Sequence, residues 1–389
     1  MAEIGRDWRV LDGVTTAWFE AWSLVEAAAL AERIVALGES IAVDVRTTGL
    51  RVRLASHEPA AAVSAVAHAL GLTANPEALQ QLSVVITSSN TPDLTRFWRG
   101  VLDYAPTNSD VLADPLGRDP SIRFRPASEP RPLRDRFHID VVRPEAIVER
   151  VQPGAASGPY GVRHGDPDGN ELDLVPGGPL GESAATSDWQ VVFSAMASYR
   201  VTSPAQQGEL VSVAAALAQD AGVPLLIDVR PGLVILDSAK DRWESDTDGL
   251  AVDFAALASR LQGAATALGA KADPELPRFV QLVLDTADIA SVRAFWAAAL
   301  GYELDRRAGV SDIYDPRRLN PVLVFQELDA SETERRRQRN SIHVELAVPA
   351  DVAVSRLADV MAAGGRLLEG SPNRWLLADP EGNELTLHS

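Results

Sequence analysis

The chain carries nearly the same short motif at two distant places. Residues 166–174 are Asp-Pro-Asp-Gly-Asn-Glu-Leu-Asp-Leu, and residues 379–387 are Asp-Pro-Glu-Gly-Asn-Glu-Leu-Thr-Leu. Each motif predicts a turn followed by a strand, because proline fixes φ, glycine tolerates a positive φ, and the next four residues alternate in polarity. One copy would be a weak signal, whereas two near-copies indicate an internal duplication.

Further matches between the two halves follow in the same order. The matched pairs are Asp7-Trp8 with Asp188-Trp189, Asp44-Val45-Arg46 with Asp228-Val229-Arg230, Phe97-Trp98 with Phe295-Trp296, and His138 with His343. The spacing between partners grows from 181 residues at the first pair to 213 at the two turn motifs. A steady increase is expected of a tandem duplication whose later copy has longer loops.

We therefore predict four segments in the order A-B-A′-B′. A chain of 389 residues exceeds what one hydrophobic core usually serves, so several domains are expected. The predicted segments are 1–76 (A), 77–178 (B), 179–187 (a linker by composition), 188–273 (A′) and 274–389 (B′).

Composition excludes several classes of function. The formal net charge is −18 and the sequence pI is about 4.8, so the surface repels phosphate backbones and anionic lipids. We therefore expect neither nucleic acid nor membrane as a partner. The absence of cysteine from the sequence excludes disulfides and thiolate metal sites. No basic segment leads into an apolar run at the start, which favours a cytoplasmic location.

Periodicity predicts a mixed α+β fold. Each A segment follows the order ββαββα. In the first A segment, Ser23 is the expected N-terminal cap of the first helix, and Glu26 completes a capping box. Each B segment is predicted to hold two βαβββ modules, of which the second in the first copy is abbreviated. Strands are expected at 82–88 and 137–142, with a helix from Thr91. His57, His68 and His164 are expected at the surface or in loops.

The B segments resemble the glyoxalase, bleomycin-resistance and dioxygenase family, which is also called the vicinal oxygen chelate family. The matching residues in B′ are 279–285 (Phe-Val-Gln-Leu-Val-Leu-Asp), 292–296 (Val-Arg-Ala-Phe-Trp), 341–345 (Ser-Ile-His-Val-Glu) and 379–384. This resemblance implies that paired βαβββ modules form a cup-shaped sheet around a small-molecule site. In metal-dependent members, four side chains from the first and last strands of the modules hold a divalent ion.

Aligned with those four positions copy by copy, the sequence offers two sets of ligand-binding candidates. The set in B′ is Gln281, Gln326 (with Glu327 as an alternative), His343 and Thr386, and the set in B is Ser83, Arg125, His138 and Asp173. Divalent ions prefer several oxygen and imidazole ligands, and a guanidinium repels them. We therefore predict no metal or other cofactor; the alternative is that His388, which shares the strand face of Thr386, completes the later set. Asp140 and Glu345 share the faces of the two histidines, which makes them further candidates.

The A segments resemble pterin-4a-carbinolamine dehydratases, through their element order, their leading tryptophans and their Asp-Val-Arg hairpins. The catalytic mark of that family is a His-His-Pro cluster before the hairpin and a Thr-His after it. Here Glu39-Ser40 and Val223-Pro224 stand near the first position, and His57 survives in the first copy while Ala239 replaces it in the second. Dehydration needs an acid and a base near neutral pH, so the resemblance implies the fold and argues against the activity.

Three functions remain open, and no catalytic residue is assigned. The leading hypothesis is a small-molecule binding protein of the glyoxalase or bleomycin-resistance type. The second is an enzyme that uses His343 and Glu345 as an acid–base pair in the B′ cup. The third is an interaction module in which the A segments mediate assembly. Because tandem copies allow the two B segments to pair within one chain and mimic a homodimer, we expect a monomer with an internal pseudo-dimer, or a homodimer.

Overall fold

The computed structural model describes residues 4–38, 41–88, 91–108, 110–127, 131–244 and 253–389. Glu39 and Ser40, which the dehydratase comparison used, lie outside the described residues. The fold is mixed α+β with large sheets. It divides into two compact units: unit 1 comprises Met1–Leu79, Arg143–Glu145 and Pro176–Arg278, and unit 2 comprises Gln80–Val142, Ala146–Val175 and Phe279–Ser389. Unit 1 thus combines the two A segments, and unit 2 combines the two B segments.

The order of elements repeats between the two halves. The A segment contains β1 (Arg9–Leu11), β2 (Val14–Glu20), α1 (Leu24–Val35), β3 (Ile41–Arg46), β4 (Gly49–Leu54), α2 (Ala60–Ala69) and β5 (Thr73–Ala74). The B segment contains β6 (Gln81–Ser88), α3 (Thr91–Leu102), β7 (Ala105–Asn108), β8 (Val111–Ala113), β9 (Ser121–Pro126), β10 (Phe137–Pro144), α4 (Glu145–Val151), β11 (Arg163–Gly165) and β12 (Glu171–Pro179).

The later half repeats this order with longer counterparts of α1, α2 and α4, and its B′ segment adds one short helix and one strand among the described residues. The A′ segment contains β13 (Gln190–Val191), β14 (Ala195–Arg200), α5 (Pro204–Ala221), β15 (Leu226–Arg230), β16 (Leu233–Asp237), α6 (Phe254–Ala267) and β17 (Lys271–Ala272). The B′ segment contains β18 (Phe279–Thr286), α7 (Ile289–Leu300), β19 (Glu303–Leu304), β20 (Ile313–Tyr314), β21 (Leu323–Glu327), α8 (Thr333–Arg337), β22 (Ile342–Ala347), α9 (Ala350–Ala362), β23 (Arg366–Ser371), β24 (Arg374–Ala378) and β25 (Glu384–His388).

Unit 1 is built on one antiparallel sheet shared by both A segments. Its strands follow the order β5-β2-β4-β3-β15-β16-β14-β17, and the two copies join where β3 pairs with β15. Val43, Val45 and Val229 point to the same core as the apolar sides of the four helices, and α1 packs against α5. Burying one face of the sheet under an apolar helix layer is the usual source of stability in such folds.

The helix ends follow the local sequence. Ser23 accepts a hydrogen bond from the Glu26 backbone N–H at 3.1 Å, and the Glu26 carboxylate accepts one from the Trp22 N–H at 2.6 Å. The predicted N-terminal cap of α1 is therefore confirmed, although the return hydrogen bond goes to the residue before the cap. Gly222 ends α5 in the left-handed conformation at φ 69°, which glycine adopts without steric cost.

Unit 2 contains two sheets, and each combines strands of both B segments. The first has the order β23-β24-β25-β22-β6-β9-β8-β7, with the copies joined by the antiparallel pair β6 and β22. In the second, β10 of the first copy pairs antiparallel with β18 of the later copy. β12 pairs with β10, and β21 runs parallel to β18. Strands from different copies therefore share each sheet, which changes the grouping of the predicted site residues.

The repeated turn motif anchors a buried tryptophan in each copy of unit 2. Asp379 accepts hydrogen bonds from Trp296 Nε1 (3.0 Å), Asn383 Nδ2 (2.6 Å), and the backbone N–H groups of Glu381 and Asn383 (2.8 and 2.9 Å). Asp166 accepts the equivalent four, including Trp98 Nε1 at 2.9 Å. The repeated motif therefore forms the same set of four hydrogen bonds around a buried aspartate in each copy.

Candidate functional site

One cluster in unit 2 brings together side chains that can bind a cation. We call it the carboxylate site and define it by His138, Asp140, Asp173 and Gln281. One ligand atom each of His138, Asp140 and Asp173 lie within 4.8 Å of one another. Gln281 stands opposite Asp140 on the paired strands β18 and β10, and its Nε2 donates to Asp140 Oδ2 at 2.7 Å. His138 Nε2 lies 3.6 Å from Asp140 Oδ1.

Several polar atoms of this site have unused bonding capacity. His138 Nδ1, Gln281 Oε1 and Asp173 Oδ1 are buried without a hydrogen-bond partner among the described residues. Buried polar atoms in proteins are normally hydrogen-bonded, so these three atoms are available to bind a ligand. Arg163 limits the site on one side, because its Nε lies 4.0 Å from Asp173 and 3.5 Å from Glu171.

The equivalent place in the other sheet has the opposite electrostatic character. We call it the arginine site and define it by Ser83, Arg123, Glu345 and Arg374. Glu345 stands opposite Ser83 on β22 and β6, as Asp140 stands opposite Gln281. Arg374 Nη2 donates to Glu345 Oε1 at 2.5 Å, and Arg123 Nε lies 3.5 Å from Oε2. Arg123 Nε also donates to Ser83 Oγ at 3.3 Å.

The protonation states at the arginine site follow from its surroundings. Burial lowers the pKa of His343 to about 4, and the Glu345 carboxylate only partly offsets this. Burial alone would raise the pKa of Glu345, but the Arg374 hydrogen bond and the charges of Arg374 and Arg123 outweigh it, so that pKa lies below its ordinary value. At neutral pH, His343 is therefore uncharged and Glu345 is ionised.

The structure groups the predicted ligand-binding candidates differently from the alignment of single copies. Gln281 belongs with His138 and Asp173, and not with His343, because strand pairing crosses between copies. Thr386 lies beside Glu345 on the adjacent strand, and His388 lies beside Ala347 further along the same pair. The pairing of strands between copies is set by contacts far apart in sequence, which the alignment of single copies did not include.

Two predicted site residues lie away from both clusters. Gln326 is exposed at the end of β21, opposite Asp285, and Arg125 is exposed near the end of β9. Arg123, two residues earlier on the same strand face, takes the place that was assigned to Arg125. Sequence reasoning missed Arg123, Arg163 and Arg374. For Arg123 the available signal was its alternation with the buried residues Ile122 and Phe124.

Two of the three histidines that were expected at the surface or in loops line a groove in unit 1: His57 lies in a loop and His68 in α2. The volume of the groove is about 690 Å³, and its lining includes Trp8, Glu58, His57 and His68. His57 Nδ1 lies 2.5 Å from Thr15 Oγ1, and His68 Nε2 lies 3.2 Å from Asp7 Oδ2. The expectation that His164 lies at the surface or in a loop is wrong, because this residue is buried in β11, and burial lowers its pKa.

Comparisons with known proteins agree with the geometry of unit 2. The family described as "Glyoxalase-like domain" matches residues 83–175 and 281–388, which together are more than half of the chain. The protein belongs to this family of glyoxalase-like domain proteins. The resemblance of the B segments is thereby confirmed, whereas the match covers neither A segment, so the dehydratase-like resemblance stays a prediction.

Solved structures give a weaker similarity. Glyoxalase I from Zea mays aligns with 80% of this chain and 92% of its own at 10% identity, with a TM-score of 0.39. Two mutants of that enzyme align with 80% and 79% of this chain and 92% and 94% of their own, also at 10% identity, with TM-scores of 0.37. No curated protein matches the chain. In the part of the chain that the structure describes, every helix is too short or too polar to cross a bilayer.

Proposed function

We propose that unit 2 binds a small, oxygen-rich molecule at the carboxylate site together with a divalent cation. The observation that supports this proposal is the convergence of one imidazole and two carboxylates, whose ligand atoms lie within 4.8 Å of one another. Side-chain atoms bind such cations at about 2.0–2.2 Å, so two ligands of one ion lie at most about 4.4 Å apart. Small side-chain movements would therefore bring all three to one ion.

The donor set suits a hard or borderline cation. His138 offers an imidazole nitrogen, Asp140 and Asp173 offer carboxylate oxygens, and Gln281 offers a buried amide oxygen that has no hydrogen-bond partner among the described residues. Such ligands fit Mn²⁺, Fe²⁺, Ni²⁺ or Zn²⁺. The prediction of no metal used candidate sets taken from single copies. We propose a cation site instead, because Gln281 of the later copy lies with His138, Asp140 and Asp173 of the first copy.

The residues around the cation position would orient the bound molecule. A bound divalent cation polarises the oxygen atoms of such a ligand. Gln281 holds one oxygen of Asp140 through its 2.7 Å hydrogen bond, which leaves the other oxygen facing His138. Arg163 lies beside Asp173, and the positive charge of its guanidinium weakens cation binding. The same guanidinium can donate hydrogen bonds to a carboxylate of the bound molecule.

The protonation states at the arginine site argue against the acid–base hypothesis for His343 and Glu345. A general acid or base works best with a pKa near the operating pH. The pKa of His343 is lowered to about 4 by burial, and that of Glu345 is also lowered, through Arg374 and Arg123. A catalytic activity of this protein is therefore better sought at the carboxylate site.

Pairing of the two A segments within unit 1 supports an internal pseudo-dimer. β3 and β15 lie side by side, which gives each strand a partner from the other copy. Because each A segment finds its sheet partner within the same chain, this pairing needs no second chain, which is consistent with small-molecule binding by a monomer.

Cation binding tests the proposal directly. Full-length protein stripped with a chelator is titrated calorimetrically with MnCl₂, NiCl₂ and ZnCl₂. Asp140→Asn and Asp173→Asn should weaken the tightest of these about 10- to 100-fold, because each removes one charged ligand. Thr386→Ala, at the position that matches Asp173 in the other sheet, should leave the affinity unchanged. The proposal fails if none of the three cations binds, or if both Asp variants bind as tightly as the wild type.

A further inference from the structure

The two A segments hold their leading tryptophan against a helix in the same way. Trp8 Nε1 donates to Ser64 Oγ at 3.0 Å, and Trp189 Nε1 donates to the backbone oxygen of Ala258 at 3.2 Å. Ser64 and Ala258 are each the fifth residue of their helix, in α2 and α6 respectively. The two helices can therefore be compared residue by residue from their first positions.

The first residue of each helix determines what lies beside the tryptophan. Phe254 begins α6, and its buried ring packs edge-on against Trp189 with the ring centroids 5.4 Å apart. Ala60 begins α2 at the equivalent position, and it lines the groove in unit 1 together with Trp8. Alanine has no ring, so the space that Phe254 fills in the later copy is part of a groove in the first copy.

The walls of this groove, which we call the α2 groove, are mainly apolar. The spacing i, i+3, i+4, i+7 places four lining residues on one side of α2: Ala61, Ser64, Ala65 and His68. Ile4, Trp8 and Ala60 add apolar surface. The volume of about 690 Å³ lies within the range of small-molecule sites, which is about 300–1,000 Å³. An aromatic ring of a ligand can therefore occupy the position that the Phe254 ring has in the later copy.

Two carboxylates line the α2 groove beside this apolar surface. The Asp7 side chain is 9% exposed; its Oδ2 lies 3.2 Å from His68 Nε2, and its Oδ1 lies 3.9 Å from Arg6 Nε, beyond hydrogen-bond distance. The Arg6 side chain is 93% exposed, so solvent screens its charge. Glu58 makes no hydrogen bond or ion pair with the residues that the structure describes. Both carboxylates can therefore accept hydrogen bonds from a cationic group of a ligand.

We infer that the α2 groove binds a small aromatic amine. The ring of the amine packs against Trp8, as the Phe254 ring packs against Trp189. Its ammonium group pairs with Asp7 and Glu58, which favours a cation over a neutral or anionic molecule of the same shape. The groove belongs to unit 1, so this binding is independent of the cation that we propose for the carboxylate site in unit 2.

Calorimetric titration of the full-length protein with phenethylamine tests the inference. Phenethyl alcohol serves as the neutral analogue, and phenylacetate serves as the anionic one. Phenethylamine should bind about tenfold or more tightly than either. Asp7→Asn should weaken its binding about tenfold, because it removes a buried charged acceptor. Glu58→Gln should weaken it about two- to fivefold, since Glu58 is exposed and its charge is screened.

Ala60→Phe introduces into the first copy the side chain that the later copy carries at this position. It should weaken phenethylamine binding about tenfold or more, because the new ring fills the place of the ligand ring. Ala62→Phe, at an exposed position of α2 outside the lining of the groove, is the matched control and should leave the affinity unchanged. If Ala60→Phe does not fold, Ala65→Leu narrows the groove from an exposed position and should weaken binding in the same direction.

An NMR titration with phenethylamine locates the bound amine. The ring-proton resonances of His57 and His68, assigned with the His→Gln variants, should shift, whereas that of His138 in unit 2 should not. Four outcomes would overturn the inference: no binding of phenethylamine, equal binding of phenethyl alcohol, tighter binding of phenylacetate, or wild-type affinity in a folded Ala60→Phe variant. Loss of phenethylamine binding in Asp173→Asn would also overturn it, because that would place the amine at the carboxylate site.

Discussion

Asp44 lies directly opposite Asp228 where β3 and β15 pair, and each carboxylate is held by an arginine of the other copy. Arg46 Nη1 donates to Asp228 Oδ1 at 2.7 Å, and Arg230 Nη2 donates to Asp44 Oδ1 at 2.5 Å, with all four side chains buried. Like charges directly opposite in a sheet repel, so the crossed arginines are what makes this junction stable. The repeated Asp-Val-Arg sequence is therefore explained by pairing between the copies.

Asp44→Asn should lower the free energy of unfolding by about 3–5 kcal/mol, because it leaves buried guanidinium groups without their carboxylate. Arg51 and Arg230 both contact Asp44, and these charges outweigh burial to hold the pKa of Asp44 well below its ordinary value. The control is Asp220→Asn, whose exposed pair with Arg260 should contribute less than about 1 kcal/mol. Urea unfolding followed by circular dichroism measures both, and equal losses would contradict the role given to Asp44.

The duplicated turn motif gives a second prediction. Asp379→Ala should cost about 2–4 kcal/mol, because it leaves Trp296 Nε1 and several backbone N–H groups without an acceptor. Asp166→Ala should cost a similar amount, since Trp98 depends on it in the same way. Glu149→Ala, at an exposed position of α4, serves as the control. Tryptophan fluorescence should shift to the red in both Asp variants, and an unchanged spectrum would be evidence against the anchoring role.

Much of the fold could be predicted from the sequence, because local signals decide turns, caps and strand faces. The element order of the A segments, the cap at Ser23 and the shared faces of His138 with Asp140 were all visible in the pattern. The partner of each strand was not, since β10 and β18 meet across more than a hundred residues of chain. Gln281 was therefore grouped with the wrong histidine.

Strand pairing between distant segments also explains why the arginines of the site were not predicted from the sequence. Arg123 and Arg125 share a strand face, and the sequence does not show which one faces a buried partner. The structure places Arg123 beside Ser83 and Glu345, while Arg125 is exposed toward the end of the strand. Arg374 begins β24, which forms a hairpin with β23 and becomes part of the site only through its pairing with β25.

The pH dependence of His343 gives a third prediction. Burial lowers its pKa from 6.5 to about 4, so the folded state disfavours the protonated ring. The resulting contribution to stability is complete above pH 6.5 and is lost as the pH falls toward 4. An NMR titration of the histidine ring protons, assigned with His343→Gln, should show this resonance titrating near pH 4. Glu345→Gln should move the midpoint lower still, because it removes the carboxylate that raises the pKa; a midpoint near 6.5 in the wild type would contradict the burial.

Exchanging one residue between the two sites should change their ligand preference. Val324 is half-buried on β21 at the position that Arg123 holds on β9. Val324→Arg should therefore place a guanidinium near Asp140 and Gln281, where it repels a cation. At about 5 Å and an effective dielectric constant of about 20, this repulsion is about 3 kcal/mol per unit charge, which corresponds to a loss of cation affinity of about 100-fold or more.

Gln326→Arg provides the matched control for this exchange. Gln326 lies two residues further along the same strand face and is exposed, as Arg125 is in the other sheet. Solvent screening should limit its effect on cation affinity to less than about tenfold. Calorimetric titration of both variants with the tightest-binding cation measures the difference. If Val324→Arg and Gln326→Arg reduce the cation affinity equally, the prediction is wrong. In that case the residue at position 324, or at position 123 in the other sheet, does not determine whether the site binds a cation.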